Sequence, residues 1–138
     1  SEEGPPADFD KRLEALDKDL SIGATGEDVR TVHTYLSQYG YFPNAKLARR
    51  YPAWRPIVAT APAAGVYDEH TAQAIRALQH AEGLVATGIV DATTREVLKT
   101  ARCGVPDGMP EFDPSNKFWH STTGQFGFIA RASPATQV

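Results

Sequence analysis

An internal repeat is the feature that most constrains the fold of this chain. Each copy joins a glycine turn to apolar residues at helical spacing, and the first two copies end at Gly40 and Gly83. The apolar positions of the three copies are Val29, Val32 and Leu36, then Ala74, Ile75 and Leu78, and finally Val97 and Leu98. Amphipathic helices bury their apolar faces by packing on one another. The repeat therefore predicts a small three-helix core.

Capping residues and stop signals place the helices along the chain. The predicted helical segments are 8–20, 22–41, 67–82 and 91–100. Asp8, Asp68 and Asp91 are the expected N-caps of the first, third and fourth segments. Thr25 with Asp28 resembles a capping box at the second. Between the last two segments, residues 88–90 are predicted to form a short turn or a bridge strand.

Two segments do not fit the repeat. Residues 43–65 contain four prolines, which exclude a regular helix over most of this insert, and Tyr51, Trp54 and Ile57 are expected to pin its middle to the body. Residues 108–138 are rich in aromatic residues and include a candidate β-hairpin that turns at 122–124.

The expected fold is therefore mainly α, with a three-helix bundle, an extra N-terminal helix, the proline-rich insert 43–65 and an irregular tail. The expected divisions are a leader or linker at 1–7, a helical domain at 8–101, a strip at 102–107 and a tail at 108–138 that either packs on the bundle or begins a following domain.

Composition and charge exclude several classes of protein. The 138 residues carry a formal net charge of −3 and no cluster of Lys and Arg, which argues against nucleic acid as the main partner. No apolar run approaches the roughly 20 residues of a membrane span. The chain has no His-Glu-x-x-His, no paired carboxylates and no nucleophile–base set. We therefore expect that the chain by itself is not an enzyme and binds no cofactor.

The only cysteine, Cys103, lies in residues 102–107, Arg-Cys-Gly-Val-Pro-Asp, which we call the cysteine strip. A single thiol cannot close an internal disulfide. Gly104 frees the backbone and removes side-chain bulk, and Pro106 favours an extended Val105. The strip is therefore predicted to be extended and exposed and to present one sulfur atom. Without its context, a free cysteine is more often a packing residue.

The second and third repeats contain a recognisable set of residues. They are Thr71, Ala74, Ile75, Leu78, Gln79, Gly83, Leu84, Gly88 and Thr94. With the helical spacing over 20–100, this set resembles the three-helix peptidoglycan-binding domain of many bacterial cell-wall hydrolases. The chain departs from that pattern at Val32-His33, where the family usually has Leu-Gln, and in the length of its insert.

The resemblance implies attachment to peptidoglycan. Its candidate wall contacts are Tyr41 and Tyr67, which flank the expected groove between the helices, and Gln79. The alternatives are core packing for the two tyrosines and a helix hydrogen bond for Gln79.

A second resemblance extends through the cysteine strip. It is carried by Tyr35-Leu36, Tyr39-Gly40-Tyr41, Leu78-Gln79, Gly83-Leu84, Thr87-Gly88 and the strip. Together they are similar to the propeptide of matrix metalloproteinases, which carries a variant of the same domain and ends in Pro-Arg-Cys-Gly-Val-Pro-Asp. Only the leading proline differs here, where the chain has Ala101.

The second resemblance implies that Cys103 ligates the catalytic zinc of a partner metallopeptidase domain, in the same chain or another. It implies that Arg102 and Asp107 pair across the bend, and that Arg49-Arg50 lies in the loop that carries the activating cleavage. The implied scaffold of the sulfur is Arg102, Gly104, Val105, Pro106 and Asp107. Both resemblances imply a secreted, cell-wall or periplasmic location.

Overall fold

The computed structural model describes residues 7–100 and 106–109. Its helices are α1 (Phe9–Glu14), α2 (Glu27–Gln38), α3 (Ala45–Arg50), α4 (Glu69–Ala81) and α5 (Ala92–Lys99). Two isolated antiparallel bridges connect the segments between them and join Leu20 to Val90 and Thr25 to Val66. The predicted mainly α fold is confirmed, and so is the bridge expected at 88–90. The predictions for the leader and the tail hairpin lie outside the described residues.

The core lies where α2, α4 and α5 meet, as the repeat predicts. The repeat positions that are at most 1% exposed are Val29, Val32, Leu36, Ala74, Ile75, Leu78 and Leu98. The helix α1 packs against α2 and α5 and closes one side of the bundle. A single apolar cluster therefore connects the extra helix to the repeat.

Both helix stops predicted at glycine are confirmed. Gly40 and Gly83 have φ values of 98° and 77°, in the left-handed region that glycine favours. After α2, the Tyr41 N–H donates to the Leu36 carbonyl at 2.8 Å, and Leu84 makes the equivalent bond after α4. This is the Schellman pattern that satisfies carbonyl groups at a helix end.

Two of the predicted N-caps are confirmed. The Asp68 carboxylate accepts from the Thr71 N–H at 3.1 Å, and the Asp91 carboxylate accepts from the Thr94 N–H at 2.9 Å. The bonds from Thr94 lower the pKa of Asp91. Burial raises the pKa of Asp68, but the hydrogen bonds from Thr71 and Ala63 together with the nearby His70 lower it, so the pKa is lowered overall.

Each threonine whose N–H is capped in this way is also tied to the preceding long helix. The His33 Nε2 and the Thr71 hydroxyl share a hydrogen bond of 2.8 Å between α2 and α4. The Gln79 amide donates to the Thr94 hydroxyl at 2.9 Å between α4 and α5. His33 thus performs in the first repeat the function that Gln79 performs in the second, which explains how the bundle accommodates a histidine there.

The N-terminal part of the chain differs from the prediction. The helix α1 ends at Glu14 rather than at Leu20, because Leu20 pairs its backbone with Val90 and that pairing requires an extended segment. Asp8 is the N-cap residue of α1, as predicted, but its side chain does not cap the helix, since its carboxylate accepts from the Arg12 Nε at 2.9 Å instead of from a helix N–H.

The predicted capping box at Thr25 is also wrong. The N-cap of α2 is Gly26, and no side chain caps this helix. Thr25 is held in the bridge with Val66, and the Gly26 N–H donates to the Gly65 carbonyl at 3.0 Å. Backbone pairing therefore fixes the start of α2.

The buried amide of Gln79 forms hydrogen bonds to several polar groups at once, so its removal is expected to destabilise the fold. Its nitrogen donates to the Thr87 and Thr94 hydroxyls and to the Ile89 carbonyl, and its oxygen accepts from the Gly88 N–H at 3.0 Å. The Gln79→Ala substitution leaves buried polar groups without partners, so we expect it to lower the free energy of unfolding by about 3 kcal/mol.

The matched control is Gln73→Ala, which changes an exposed glutamine on the same helix. We expect its effect to stay within about 0.5 kcal/mol. Urea unfolding of both variants measures the difference, and equal stabilities would contradict the structural role assigned to Gln79.

The half-buried imidazole of His33 is expected to make the stability of the fold depend on pH. Burial lowers its pKa below 6.5, so the unfolded chain takes up a proton at a higher pH than the folded chain does. Stability is therefore lost as the pH falls from above 6.5 toward the lower pKa of the folded state. We expect His33→Gln to weaken this dependence between pH 7.5 and 5, as measured by thermal unfolding. The control His80→Gln, at an exposed position of α4, should leave it unchanged.

Candidate functional site

The C-terminal end of the cysteine strip is fastened to the helical domain at Asp107. The Asp107 N–H donates to the Tyr39 carbonyl at 2.8 Å, and the indole N–H of Trp54 donates to the Asp107 carbonyl at 2.7 Å. One residue after the strip, the Gly108 carbonyl accepts from the Arg55 N–H at 3.3 Å. The strip therefore ends between the C-terminus of α2 and the middle of the insert.

The side chain of Asp107 is held as well. Its carboxylate accepts a hydrogen bond from the hydroxyl of Tyr41. Tyr41 is 1% exposed and Trp54 is 2% exposed. A buried O–H or N–H is costly to leave without an acceptor, and Asp107 supplies an acceptor to both. We call these three residues, Tyr41, Trp54 and Asp107, the strip anchor.

Two glycines make the close approach of the backbones possible. A side chain at Gly40 would collide with the Asp107 carbonyl and the Trp54 indole, and one at Gly108 would collide with the Arg55 carbonyl. Both glycines have φ values between 96° and 98°. Gly40 therefore serves both the helix stop and the strip anchor.

The insert contains a helix that the sequence analysis did not predict. Asn44 caps α3 by accepting from the N–H groups of Lys46 and Leu47, and its amide donates to the Ser37 carbonyl at 2.9 Å. The four prolines of the insert hid this element, although an asparagine directly after Pro43 is a helix-start signal. The insert thus begins with a short helix docked on the end of α2.

The middle of the insert is pinned by Trp54, as predicted, but not by Ile57. The Ile57 side chain is exposed, and Val58 is buried in its place. The N–H groups of these two residues donate to the carbonyls of Gly40 and Tyr41, at 3.1 and 3.0 Å. The backbone of the insert therefore runs along the residues that bear the strip anchor.

The residues predicted for the cysteine strip are only partly described. Arg102, Cys103, Gly104 and Val105 lie outside the described residues, whereas Pro106 is buried and Asp107 is half-buried in the anchor. The predicted pairing of Arg102 with Asp107 stays a prediction. One partner of the Asp107 carboxylate is Tyr41, which the sequence did not connect with the strip.

The predicted cleavage site lies at the end of α3. Arg49 and Arg50 are exposed in its last turn, and the guanidinium of Arg50 lies 5.7 Å from the centre of the Tyr51 ring. Arg50 is four residues before Trp54.

The candidate wall contacts lie inside the bundle. Tyr67 is fully buried, its hydroxyl donates to the Gly88 carbonyl at 2.6 Å, and burial raises its pKa. Gln79 is 1% exposed and is bonded as described above. With Tyr41 in the strip anchor, none of the three presents its side chain to the outside. This burial favours the alternatives given from the sequence, core packing for the tyrosines and hydrogen bonding for Gln79, over contact with the wall.

An open cleft of about 390 Å³ lies between α1, α2 and the end of the insert. Its lining includes Phe9, Phe42, His33, Thr34, Arg12 and Arg30. Arg12 donates to the Glu27 carboxylate at 2.9 Å. Sequence reasoning missed this cleft because the insert forms one of its walls.

Within residues 7–100 and 106–109, no three His, Cys, Asp or Glu side chains lie close enough together to hold a metal ion. In the same part of the chain, no helix has the length and apolar character needed to cross a membrane.

Comparisons with known proteins confirm both resemblances predicted from the sequence. A 92-residue stretch is 35% identical to matrix metalloproteinase-17 of Homo sapiens and covers 65% of this chain. The chain spans only 11% of the length of that relative. No solved structure matches the chain significantly.

Residues 25–98, more than half of the chain, match the family described as "Putative peptidoglycan binding domain". This stretch includes α2, α3, α4, the insert and all but the last residue of α5, so the match covers the three-helix core. The chain belongs to the peptidoglycan-binding domain family.

Proposed function

We propose that this chain keeps a zinc metallopeptidase latent by placing the thiolate of Cys103 on the catalytic zinc. The observation that carries the proposal is the strip anchor, which fastens Asp107, four residues after the cysteine, to the helical domain. The similarity to a human matrix metalloproteinase supports the same assignment. The proposed partner is a metallopeptidase catalytic domain, which supplies the zinc.

One sulfur atom is enough to block the peptidase because of the way in which a catalytic zinc is coordinated. A catalytic zinc has three protein ligands and leaves its fourth position to water. A thiolate in that position excludes the water that the reaction needs as its nucleophile. Zinc binds thiolate rather than thiol, and the adjacent cation of Arg102 favours the deprotonated form of Cys103.

The anchor limits how far the sulfur can travel. Four extended residues span at most about 14 Å, so Cys103 stays within that distance of Asp107. This restraint reduces the conformational freedom that the strip would lose on binding the zinc. The helical domain thus acts as a carrier that presents the cysteine strip from a fixed point.

The insert provides a route to activation. Cleavage between Arg49 and Arg50, which are exposed, would separate α3 from the segment that carries Trp54. Trp54 would then be connected to the domain from one side only. Loss of its bond to Asp107 would loosen the strip and release the sulfur from the zinc.

A second function, binding to peptidoglycan, is favoured by the open cleft and by membership of the family. Guanidinium groups pair well with carboxylates, which peptide stems carry. Under both functions the chain would act outside the cytoplasm, as a secreted protein or in the cell wall or periplasm.

Cys103→Ser tests the first function. The chain is added to an active matrix-metalloproteinase catalytic domain, and peptidase activity is measured against chain concentration. We expect the substitution to raise the half-inhibitory concentration at least tenfold, because a hydroxyl is a poor zinc ligand compared with a thiolate. Val85→Ser, at an exposed position, is the control and should inhibit like the unchanged chain. Equal inhibition by the Cys103 variant, or no inhibition by any version, would contradict the proposal.

Thr34→Trp tests the second function by filling the cleft with an indole. Its control is Val85→Trp, which adds the same ring at a position that does not line the cleft. Co-sedimentation with insoluble peptidoglycan at low salt measures the bound fraction. We expect the Thr34 variant to lose at least four fifths of its binding and the control to retain it. If the unchanged chain does not bind, or if the Thr34→Trp variant binds as well as the unchanged chain, the cleft is not a wall-binding site.

A further inference from the structure

We infer that Tyr41 and Trp54 are positioning residues for Cys103, because they jointly fix the point from which the cysteine strip leaves the helical domain. Neither residue is part of the strip, and both act through Asp107. The inference rests on the proposed latency function and adds to it the residues that determine how well the sulfur is presented.

The burial of the two donors makes the anchor cooperative. Tyr41 and Trp54 are almost completely buried, and each directs its polar hydrogen at the same residue. If the strip detached, a phenol and an indole N–H would both lose an acceptor in a place that water reaches poorly. Each bond therefore favours the state in which the other is also made.

The two donors come from segments that are distant in sequence. Tyr41 follows α2, whereas Trp54 lies in the middle of the insert. The insert is held against the end of α2 by the bonds from Ile57 to Gly40 and from Val58 to Tyr41. The position of the strip thus depends on a docked insert, which couples the insert to the presentation of Cys103.

Conservative substitutions separate this role from simple packing. Tyr41→Phe removes only the hydroxyl that bonds Asp107, and Trp54→Phe removes the indole donor but keeps an aromatic ring. Tyr67→Phe is the matched control, since Tyr67 is equally buried and loses a hydrogen bond to Gly88 in a different part of the bundle.

The first measurement is amide hydrogen exchange by NMR on the whole 138-residue chain. It compares the Asp107 amide, which bonds the Tyr39 carbonyl, with the core amide of Leu78 in α4. We expect Tyr41→Phe and Trp54→Phe to speed exchange at Asp107 about tenfold more than at Leu78. In Tyr67→Phe the two amides should change by the same factor.

The second measurement is inhibition of a matrix-metalloproteinase catalytic domain by the same variants. We expect the half-inhibitory concentration to rise about tenfold for Tyr41→Phe and Trp54→Phe, because a loose strip must be ordered when it binds. Tyr67→Phe should inhibit like the unchanged chain.

The two measurements distinguish the ways in which the inference fails. Unchanged relative exchange at Asp107 would show that Tyr41 and Trp54 do not hold the strip. Faster exchange with unchanged inhibition would show that the anchor exists but does not position Cys103. Failure of the unchanged chain to inhibit would overturn the proposed function, while the exchange result would still report on the anchor.

Discussion

The hydrogen bonds that converge on Asp107 are the interaction on which the functional part of this structure depends. They join the end of α2, the insert and the cysteine strip at one point. Tyr41 and Trp54 are buried and need acceptors, and Asp107 supplies both. The proline-rich insert lengthens the chain beyond a simple three-helix module. It contributes to the anchor because it carries one of the two donors.

The bundle beneath the anchor is built from one repeated arrangement. An aspartate caps each of the last two core helices, and a side chain of the preceding long helix bonds the capped threonine. His33 takes the place that Gln79 takes one repeat later. Since this arrangement faces inward, the residues that typify the family stabilise the fold. The proposed functions in binding and latency are assigned to the cleft and the strip instead.

Local patterns were enough to predict much of this fold, and long-range contacts account for what they missed. The caps at Asp68 and Asp91 and the stops at Gly40 and Gly83 depend on neighbours within a few residues. Thr25 failed as a cap because its backbone pairs with Val66. Wall contact and core packing were both left open for Tyr41, because nothing local reveals its partner Asp107, which lies 66 positions away. The role of the cysteine strip stays a prediction, made from a short and contiguous motif of which only Pro106 and Asp107 lie within the described residues.

The most direct test of the account is the ligand set of the zinc. X-ray absorption at the zinc edge can be recorded on a complex of this chain with a matrix-metalloproteinase catalytic domain, and on the same complex made with Cys103→Ser. The account predicts one sulfur scatterer at about 2.3 Å in the first complex and only nitrogen and oxygen ligands in the second. A zinc without sulfur in both complexes would contradict the proposal that Cys103 occupies its open position.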